Sequence, residues 1–275
     1  MSNTLKPISL DFSTSQVMGI INVTPDSFYD GGTNRTNDAV ILTAEKHLKE
    51  GATILDIGGM SSRPGAELIS EEEELSRVIP ALQLVLKYFP SALISIDTFR
   101  GKVAEEALSN GASIINDISA GRFDESIVEV VAKRKCPYII MHIQGIPQNM
   151  QQNPSYENVV KEVKAFFEER VAFMNRQGVK NLILDVGFGF GKTVAHNYQL
   201  LSCLKEFKAF GYPILAGVSR KSMLTKLLEI TIEQSLNATT VANTLALVNG
   251  ANILRVHDVK EAVEAVRIYN ATKKN

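Results

Sequence analysis

Gly19-Ile20-Ile21-Asn22-Val23-Thr24-Pro25-Asp26-Ser27-Phe28-Tyr29-Asp30-Gly31-Gly32 starts inside an apolar run, residues 17–21, and breaks at Asn22 into a polar loop punctuated by Pro25 and Gly31-Gly32. The same change, from β-branched apolar residues to oxygen-bearing ones, recurs down the chain. Short apolar runs at 54–57, 93–96, 113–115, 138–141, 182–184, 214–216 and 253–256 bring the total to eight. Segments of helical period separate them, at 38–50, 71–88, 102–110, 124–135, 156–177, 197–210, 235–249 and 259–272. Eight strands, each followed by a helix, predict an α/β protein: a (β/α)8 TIM barrel formed as a single domain over 1–275, with 1–14 as a lead-in. Gly-Ala or Gly-Xaa pairs just before strands, such as Gly51-Ala52, Gly111-Ala112 and Gly250-Ala251, fit helix C-caps feeding short turns. A doubly wound open sheet is the alternative fold. It would leave two edge strands, and none of the eight runs carries the polar dilution of an edge.

Composition narrows the function classes. The chain has 275 residues, of which 45% are hydrophobic and 21% charged, with a net charge of -1. That balance supplies core for one large domain and no general field for nucleic acid or an anionic membrane. Any anion must be held locally. Cys136 and Cys203 are too few for a disulfide framework or a zinc site and read as reduced thiols. No apolar run reaches the roughly 20 residues that span a bilayer. Residues 1–14 lack the apolar core of a signal peptide, so the expected location is cytoplasmic.

In a barrel the chemistry sits where the strands end. Asn22 follows the first run and Asp56 sits within the second just before Gly58-Gly59, while Asp97, Asn116-Asp117, His142, Asp185, Ser219-Arg220-Lys221 and Arg255 with His257 close the other six in turn. An all-structural protein has little use for so many ions there, because each costs several kcal/mol or so to desolvate unless it is paired or liganded. Asp97, Asn116 and Asp185 as acceptors suit a flat heterocycle with adjacent N–H donors. A structural role as helix N-caps fits any one of them and is strained for three. Asn22, Asp26 and Asp30 offer hard oxygen ligands for a magnesium-bound phosphate ester, although ordinary turns use the same residues. Arg63, in Gly58-Gly59-Met60-Ser61-Ser62-Arg63-Pro64-Gly65, suits a phosphate. Ser222 opens a short helix whose N-terminus suits a carboxylate or phosphate. Arg255 and His257 share one face of the last strand, where barrels often bind phosphate.

Asp185-Val186-Gly187-Phe188-Gly189-Phe190-Gly191-Lys192-Thr193 satisfies neither the Walker A spacing nor the dinucleotide fingerprint. It reads as a compact Gly-rich loop presenting Phe188 or Phe190 as an apolar wall, with Lys192 either at the same ligand or solvated. His142 is equally a ligand contact or a hydrogen-bonded core imidazole. His47 and His196 fall on helical segments and are expected to be solvated. Ser70-Glu71-Glu72-Glu73 reads as a helix capping box with a structural role only.

Taken together, Met18 to Phe28, Ser62-Arg63-Pro64-Gly65, Met141-His142-Ile143-Gln144-Gly145, Gly187 to Lys192, Ser219-Arg220-Lys221-Ser222 and Arg255-Val256-His257-Asp258 closely resemble the dihydropteroate synthase family, in order and from about residue 18 to the C-terminus. The resemblance implies a transferase that condenses (7,8-dihydropterin-6-yl)methyl diphosphate with 4-aminobenzoate, releasing diphosphate on the route to folate. It implies a pterin pocket of Asp97, Asn116, Asp185, Lys221 and Phe190, and a diphosphate grip of Asn22, Arg63, Arg255 and His257. The 4-aminobenzoate walls are then Phe28, Ser62, Pro64, Phe190 and Ser222, with Mg2+ on Asn22 and an aspartate of the first loop, Asp30 or Asp26. Asp97, Lys221, Arg255 and His257 are the implied catalytic residues, and family analogy implies a homodimer and a sulfonamide target. Met60, Ser62 and Val186 stand where many relatives carry Glu, Thr and Pro. Ser62 bears on inhibitor affinity, and Val186 is expected to loosen Phe190 by removing a fixed φ.

An aniline nitrogen is already a neutral nucleophile at pH 7, so the barrier lies in departure of the diphosphate, and an SN1-like step is expected. The enzymatic rivals are a methyltetrahydrofolate methyltransferase, which shares a pterin-binding barrel but has no diphosphate to hold, and a class I aldolase using Lys221 as a Schiff base. An inactive pterin-binding protein is the non-catalytic alternative.

Overall fold

Hydrogen bonds between each strand and the next, and from the last back to the first, close the sheet on itself. A computed structural model describes residues 10–23, 33–61 and 65–273, without the side chains of 33–36. The strands are β1 (Gln16–Asn22), β2 (Ile54–Gly58), β3 (Leu93–Asp97), β4 (Ile114–Asp117), β5 (Tyr138–Met141), β6 (Leu182–Asp185), β7 (Ile214–Ala216) and β8 (Ile253–Val256). They are parallel and in sequence order around a closed barrel, β8 pairing with β1. The helices are α1 (Thr33–Glu50), α2 (Glu71–Tyr88), α3 (Gly101–Ser109), α4 (Ser126–Arg134), α5 (Val159–Arg176), α6 (Val194–Ser202), α7 (Ser222–Leu228), α8 (Leu236–Val248) and α9 (Val259–Thr272). The expected TIM barrel is therefore present. No helix among the described residues is long and apolar enough to cross a membrane.

Two apolar layers hold it. Residues facing out from the strands, such as Leu55, Ile57, Ile94, Ile96 and Ile140, are fully buried under the helices. Inside the barrel, Met18, Ile54, Ile114, Ile139, Ile183, Leu215 and Ile253 fill the lower half, with Leu10, Phe12 and Leu93 packed against them. Leu10 and Phe12 thus help close the end of the barrel opposite the site.

Segment boundaries differ from the sequence reading where caps decide them. The segment expected at 197–210 divides into α6 and a 3-10 helix, Leu204–Phe210, because the chain leaves helical geometry at Cys203. The N-terminus of α6 is fixed by Thr193, whose hydroxyl accepts from the His196 amide while the His196 ring accepts from the Thr193 amide. His196 is therefore a half-buried cap, not a solvated side chain, and its ring meets Tyr156 edge-on at 5.0 Å. Ser70 caps α2 as expected, accepting from the Glu73 amide.

His47 also departs from expectation. It lies on the inner face of α1 with Val40 and Ala44, is 4% exposed, and its Nε2 donates to the Ile20 carbonyl at 3.1 Å. Gly19 makes the room, since a Cβ there would sit 2.7 Å from the His47 ring. Gly19→Ala should lower unfolding stability by about 1–3 kcal/mol in urea titrations. Adding His47→Ala should recover part of that loss, which a defect unrelated to this contact would not allow.

Candidate functional site

Alternation along the strands sends every second residue into the barrel, and partway up this interior the side chains turn from apolar to polar. On β2 the inward series is Ile54, Asp56, Gly58. On β3 it is Leu93, Ser95, Asp97, on β4 Ile114 then Asn116, and on β6 Ile183 then Asp185. On β8, Ile253 and Arg255 lead to His257. Register places Asp56 beside Ser95, Asp97 between Gly58 and Asn116, and Asp185 beside Met141.

Arg255 ties this layer together. Its Nε donates to Asp56 Oδ2 at 2.6 Å and one terminal nitrogen donates to Asp97 Oδ2 at 2.6 Å. Asn116 Nδ2 donates to the same Asp56 oxygen at 3.1 Å. Asp56 is the site residue that sequence reasoning passed over: it was placed within the second run and given no role. A single carboxylate on the inward parity of an otherwise apolar strand was the available signal. Its Oδ1 and Ser95 Oγ are buried without a hydrogen-bond partner among the described residues.

Burial sets the protonation states. It pushes Asp97 up to about 7, with Arg255 pulling down and Asp56 adding repulsion. Burial also raises Asp185, against the Gly187 amide that donates to Oδ1 at 2.8 Å and the positive charges of Lys221 and Arg255. Lys221 falls to about 8 through burial and the nearby Arg255, partly offset by Asp185 and Asp97. Its ammonium lies 4.3 Å from the centre of the Phe190 ring. Burial disfavours the Arg255 charge too, but Asp56 and Asp97 outweigh it and hold the guanidinium protonated.

The β7 and β8 loops are clamped to each other. Arg220, in the left-handed region at φ 54°, makes a two-pronged ion pair with Asp258 at 2.9 and 2.6 Å. Ser219 Oγ accepts from the His257 amide at 3.2 Å and lies 3.1 Å from His257 Nδ1. Lys221 and His257 are therefore placed by one rigid junction. Ser222 is exposed at the first position of α7.

Of the residues singled out from sequence, Asp97, Asn116, Asp185, Lys221, Phe190, Arg255 and His257 converge on the mouth. Asn22 ends β1 in register with Gly58, half-buried, and makes no side-chain hydrogen bond to another described residue. Asp26, Phe28, Asp30, Ser62, Arg63 and Pro64 lie outside the described residues. Around the polar layer, Phe99, Ile118, Met141, Ile143, Met150 and Phe190 form an apolar rim with Met60 packed against it. Lys192 is neither at the ligand face nor solvated: it is 3% exposed behind the Gly-rich loop, bonded to His142 and to loop carbonyls. His142 accordingly takes the core alternative. The missing fixed φ at Val186 is compensated, because polar backbone groups of Gly187, Gly189, Phe190 and Gly191 all find side-chain partners.

The class of protein follows from this geometry together with the comparisons. A family model described as pterin binding enzyme matches residues 18–257, so the fold and site are those of a pterin-binding barrel enzyme. Dihydropteroate synthase of Haemophilus influenzae is 46% identical over 265 residues, covering 96% of both chains. Among solved structures, the Yersinia pestis dihydropteroate synthase with a sulfonamide drug complex superposes with TM-score 0.91 at 43% identity, covering 98% of each chain. The Xanthomonas albilineans dihydropteroate synthase with 4-aminobenzoic acid gives TM-score 0.91 at 40% identity over 97% of this chain and 96% of that one. The chain belongs to the dihydropteroate synthase family.

His257 sits at about 4, lowered by burial and by the charges of Arg255 and Arg220. It is a neutral hydrogen-bonding imidazole at pH 7. Unfolded, it takes up its proton near pH 6.5, and folded only near 4. Its contribution to stability is thus complete above pH 6.5 and lost as pH falls through that window. An NMR titration of the His257 ring should give a midpoint well below 6.5, rising when pyrophosphate is added. A midpoint at or above 6.5 in the free protein contradicts this assignment.

Proposed function

We propose that this chain condenses (7,8-dihydropterin-6-yl)methyl diphosphate with 4-aminobenzoate to give 7,8-dihydropteroate and diphosphate. The observation that carries the reading is the charged layer inside the barrel, where Asp97, Asn116 and Asp185 sit beside Lys221 and Arg255. Three acceptors at one level suit the ring and amino N–H groups of a pterin, with Lys221 donating to its acceptors. In related proteins, 4-aminobenzoic acid and 7,8-dihydropteroate occupy solved structures of the Xanthomonas albilineans enzyme.

Arg255 spends two donors on carboxylates and keeps its second terminal nitrogen for an anion, so it offers a directed N–H more than net charge. With Asn22, His257 and, by family resemblance, Arg63, it grips the diphosphate. Asn22 as a lone oxygen donor at a strand end fits Mg2+, which usually takes one or two protein ligands and completes its shell from substrate phosphates and water. Asp26 and Asp30 are the companions the sequence suggests. Bound Mg2+ supplies charge neutralisation on the leaving group. Asp97 stabilises positive charge left on the pterin methylene, giving an SN1-like displacement, and the aniline nitrogen attacks as a neutral nucleophile. Phe190 and Ser222, with Phe28, Ser62 and Pro64, form the 4-aminobenzoate site.

The test is diphosphate release with Mg2+, with and without 4-aminobenzoate. Release that depends on 4-aminobenzoate and yields dihydropteroate is expected, and a protein that binds the pterin without releasing diphosphate overturns the reading. Arg255→Met should lower kcat roughly 10²-fold or more, the scale of losing one preorganised donor. Asp97→Asn should reduce both kcat and diphosphate release, and unchanged rates in that variant rule out its role in the SN1-like step.

A second copy of the chain is the proposed partner. Val241, Leu245 and Val248 line one exposed face of α8, and Leu228 and Ile232 are exposed on the segment leading to it. Sedimentation of the wild type should give a dimer, and Val241→Asp with Leu245→Asp a monomer. A monomeric wild type overturns the assignment. A reducing cytoplasm suits the free thiols of Cys136 and Cys203.

A further inference from the structure

Lys192 is a buried ammonium that the mechanism does not use. Its Nζ faces acceptors only: His142 Nδ1 at 2.9 Å, Gly187 O at 2.9 Å, Phe190 O at 3.0 Å and His142 O at 3.3 Å. Burial and, to a smaller extent, Lys221 lower Lys192 to about 7 while Asp185 opposes the shift. The acceptor set around Nζ favours the protonated amine, whose contact to Nδ1 places the His142 proton on Nε2. None of these partners is a carboxylate. A buried cation that gives up hydration for carbonyl groups is costly, and its position is explained only by what those carbonyls hold in place.

They hold the loop that carries Phe190. Gly187 has φ 71°, and a Cβ there would lie 2.0 Å from the His142 carbonyl oxygen and 3.3 Å from Lys192 Nζ, so this close approach requires glycine. Other polar groups of the loop are pinned as well. Gly189 N donates to Asn197 Oδ1 at 2.7 Å, and Tyr156 OH donates to Gly191 O at 2.9 Å. Phe190 is the one side chain of the loop that reaches across to the site, with its ring on Lys221 and its edge in the apolar rim. Lys192 is the only side chain among the described residues that bonds to both the first carbonyl of this turn and the carbonyl of Phe190 itself.

We infer that Lys192 is a positioning residue for the second substrate: by tying the Gly187 and Phe190 carbonyls to the end of β5, it fixes the Phe190 ring as a preformed wall of the 4-aminobenzoate subsite. The inference rests on the assignment of that subsite to Phe190 under the proposed function. Of the pterin acceptors, Asp97 and Asn116 stand on strands that Lys192 does not touch, and Asp185, although its Oδ1 accepts from the Gly187 amide, is also held on β6 by its pairing with β5 and β7. Loss of its ammonium should therefore weaken 4-aminobenzoate much more than the pterin.

Lys192→Met keeps the alkyl stem and removes the donors. In steady-state assays it should raise KM for 4-aminobenzoate about 10-fold or more, the scale of losing one or two buried hydrogen bonds that order a site. Binding of the pterin diphosphate, measured by calorimetry without 4-aminobenzoate, should change less than about 3-fold on the same argument. Amide exchange at 187–191, read with no substrate present, should accelerate. A folded Lys192→Met protein whose KM for 4-aminobenzoate stays within 2-fold or so of wild type, or in which both substrates weaken in parallel, overturns the inference. If Lys192→Met does not fold, Tyr156→Phe decides. It releases only the Gly191 carbonyl and should raise the same KM by a smaller factor, and no change there overturns the inference equally. The functional reading fails separately, if the wild type makes no dihydropteroate. Loop exchange in Lys192→Met still reports then, and exchange equal to wild type refutes the pinning itself.

Discussion

Arg255 between Asp56 and Asp97 is the interaction on which the site depends. Closing eight strands into a barrel leaves an interior that side chains must fill, and a charge placed there loses most of its hydration. One guanidinium shared by two carboxylates, with Asn116 donating to one of them, reduces that cost by giving each ion a short, directed partner. The arrangement leaves acceptor atoms open: Asp56 Oδ1 has no partner among the described residues, and Asn116 and Asp185 face the same mouth. A site assembled in this way is organised before any ligand enters, which is the condition for electrostatic stabilisation to act on a transition state without reorganising.

Around that layer, several of the described loops reaching the mouth are held by buried or half-buried polar devices. Arg220 and Asp258 join the β7 and β8 loops, and the strained backbone of Arg220 is the cost of aiming Lys221 inward. Lys192 and Tyr156 hold the Gly-rich loop. Arg77 donates to the Gly59 carbonyl just beyond β2, and Arg100 pairs with the buried Glu74 and with the carbonyls of Ile69 and Ser70. The scaffold is therefore not a passive frame. Its helices supply the groups that fix where the strands' loops begin and end.

The barrel was legible because its signal is repetitive. Eight apolar runs, each ending in a polar residue, and the glycines before them mark strands, caps and the functional face together. Asp97, Asn116, Asp185, Lys221 and Arg255 were legible for the same reason, as polar groups at strand ends. Asp56 was harder to assign, because a role inside the barrel follows from its pairing with Arg255, 199 residues away in sequence. Lys192, His47 and His196 were misread as solvated, or as possible ligand contacts, because helical or loop position does not state which side faces the core. The charge state of His257 was not legible, because burial and the spatial approach of Arg220 set it.

By itself the sequence determined the closed barrel, the face that carries chemistry and the family, since periodicity, caps and ordered motifs are local properties of the chain. Only the tertiary structure decided the charge states and the partners: the neutrality of His257, the raised carboxyl of Asp97, the sharing of Arg255 and the burial of Lys192. Those depend on desolvation and on distances between strands far apart in sequence, and neither quantity exists until the barrel closes.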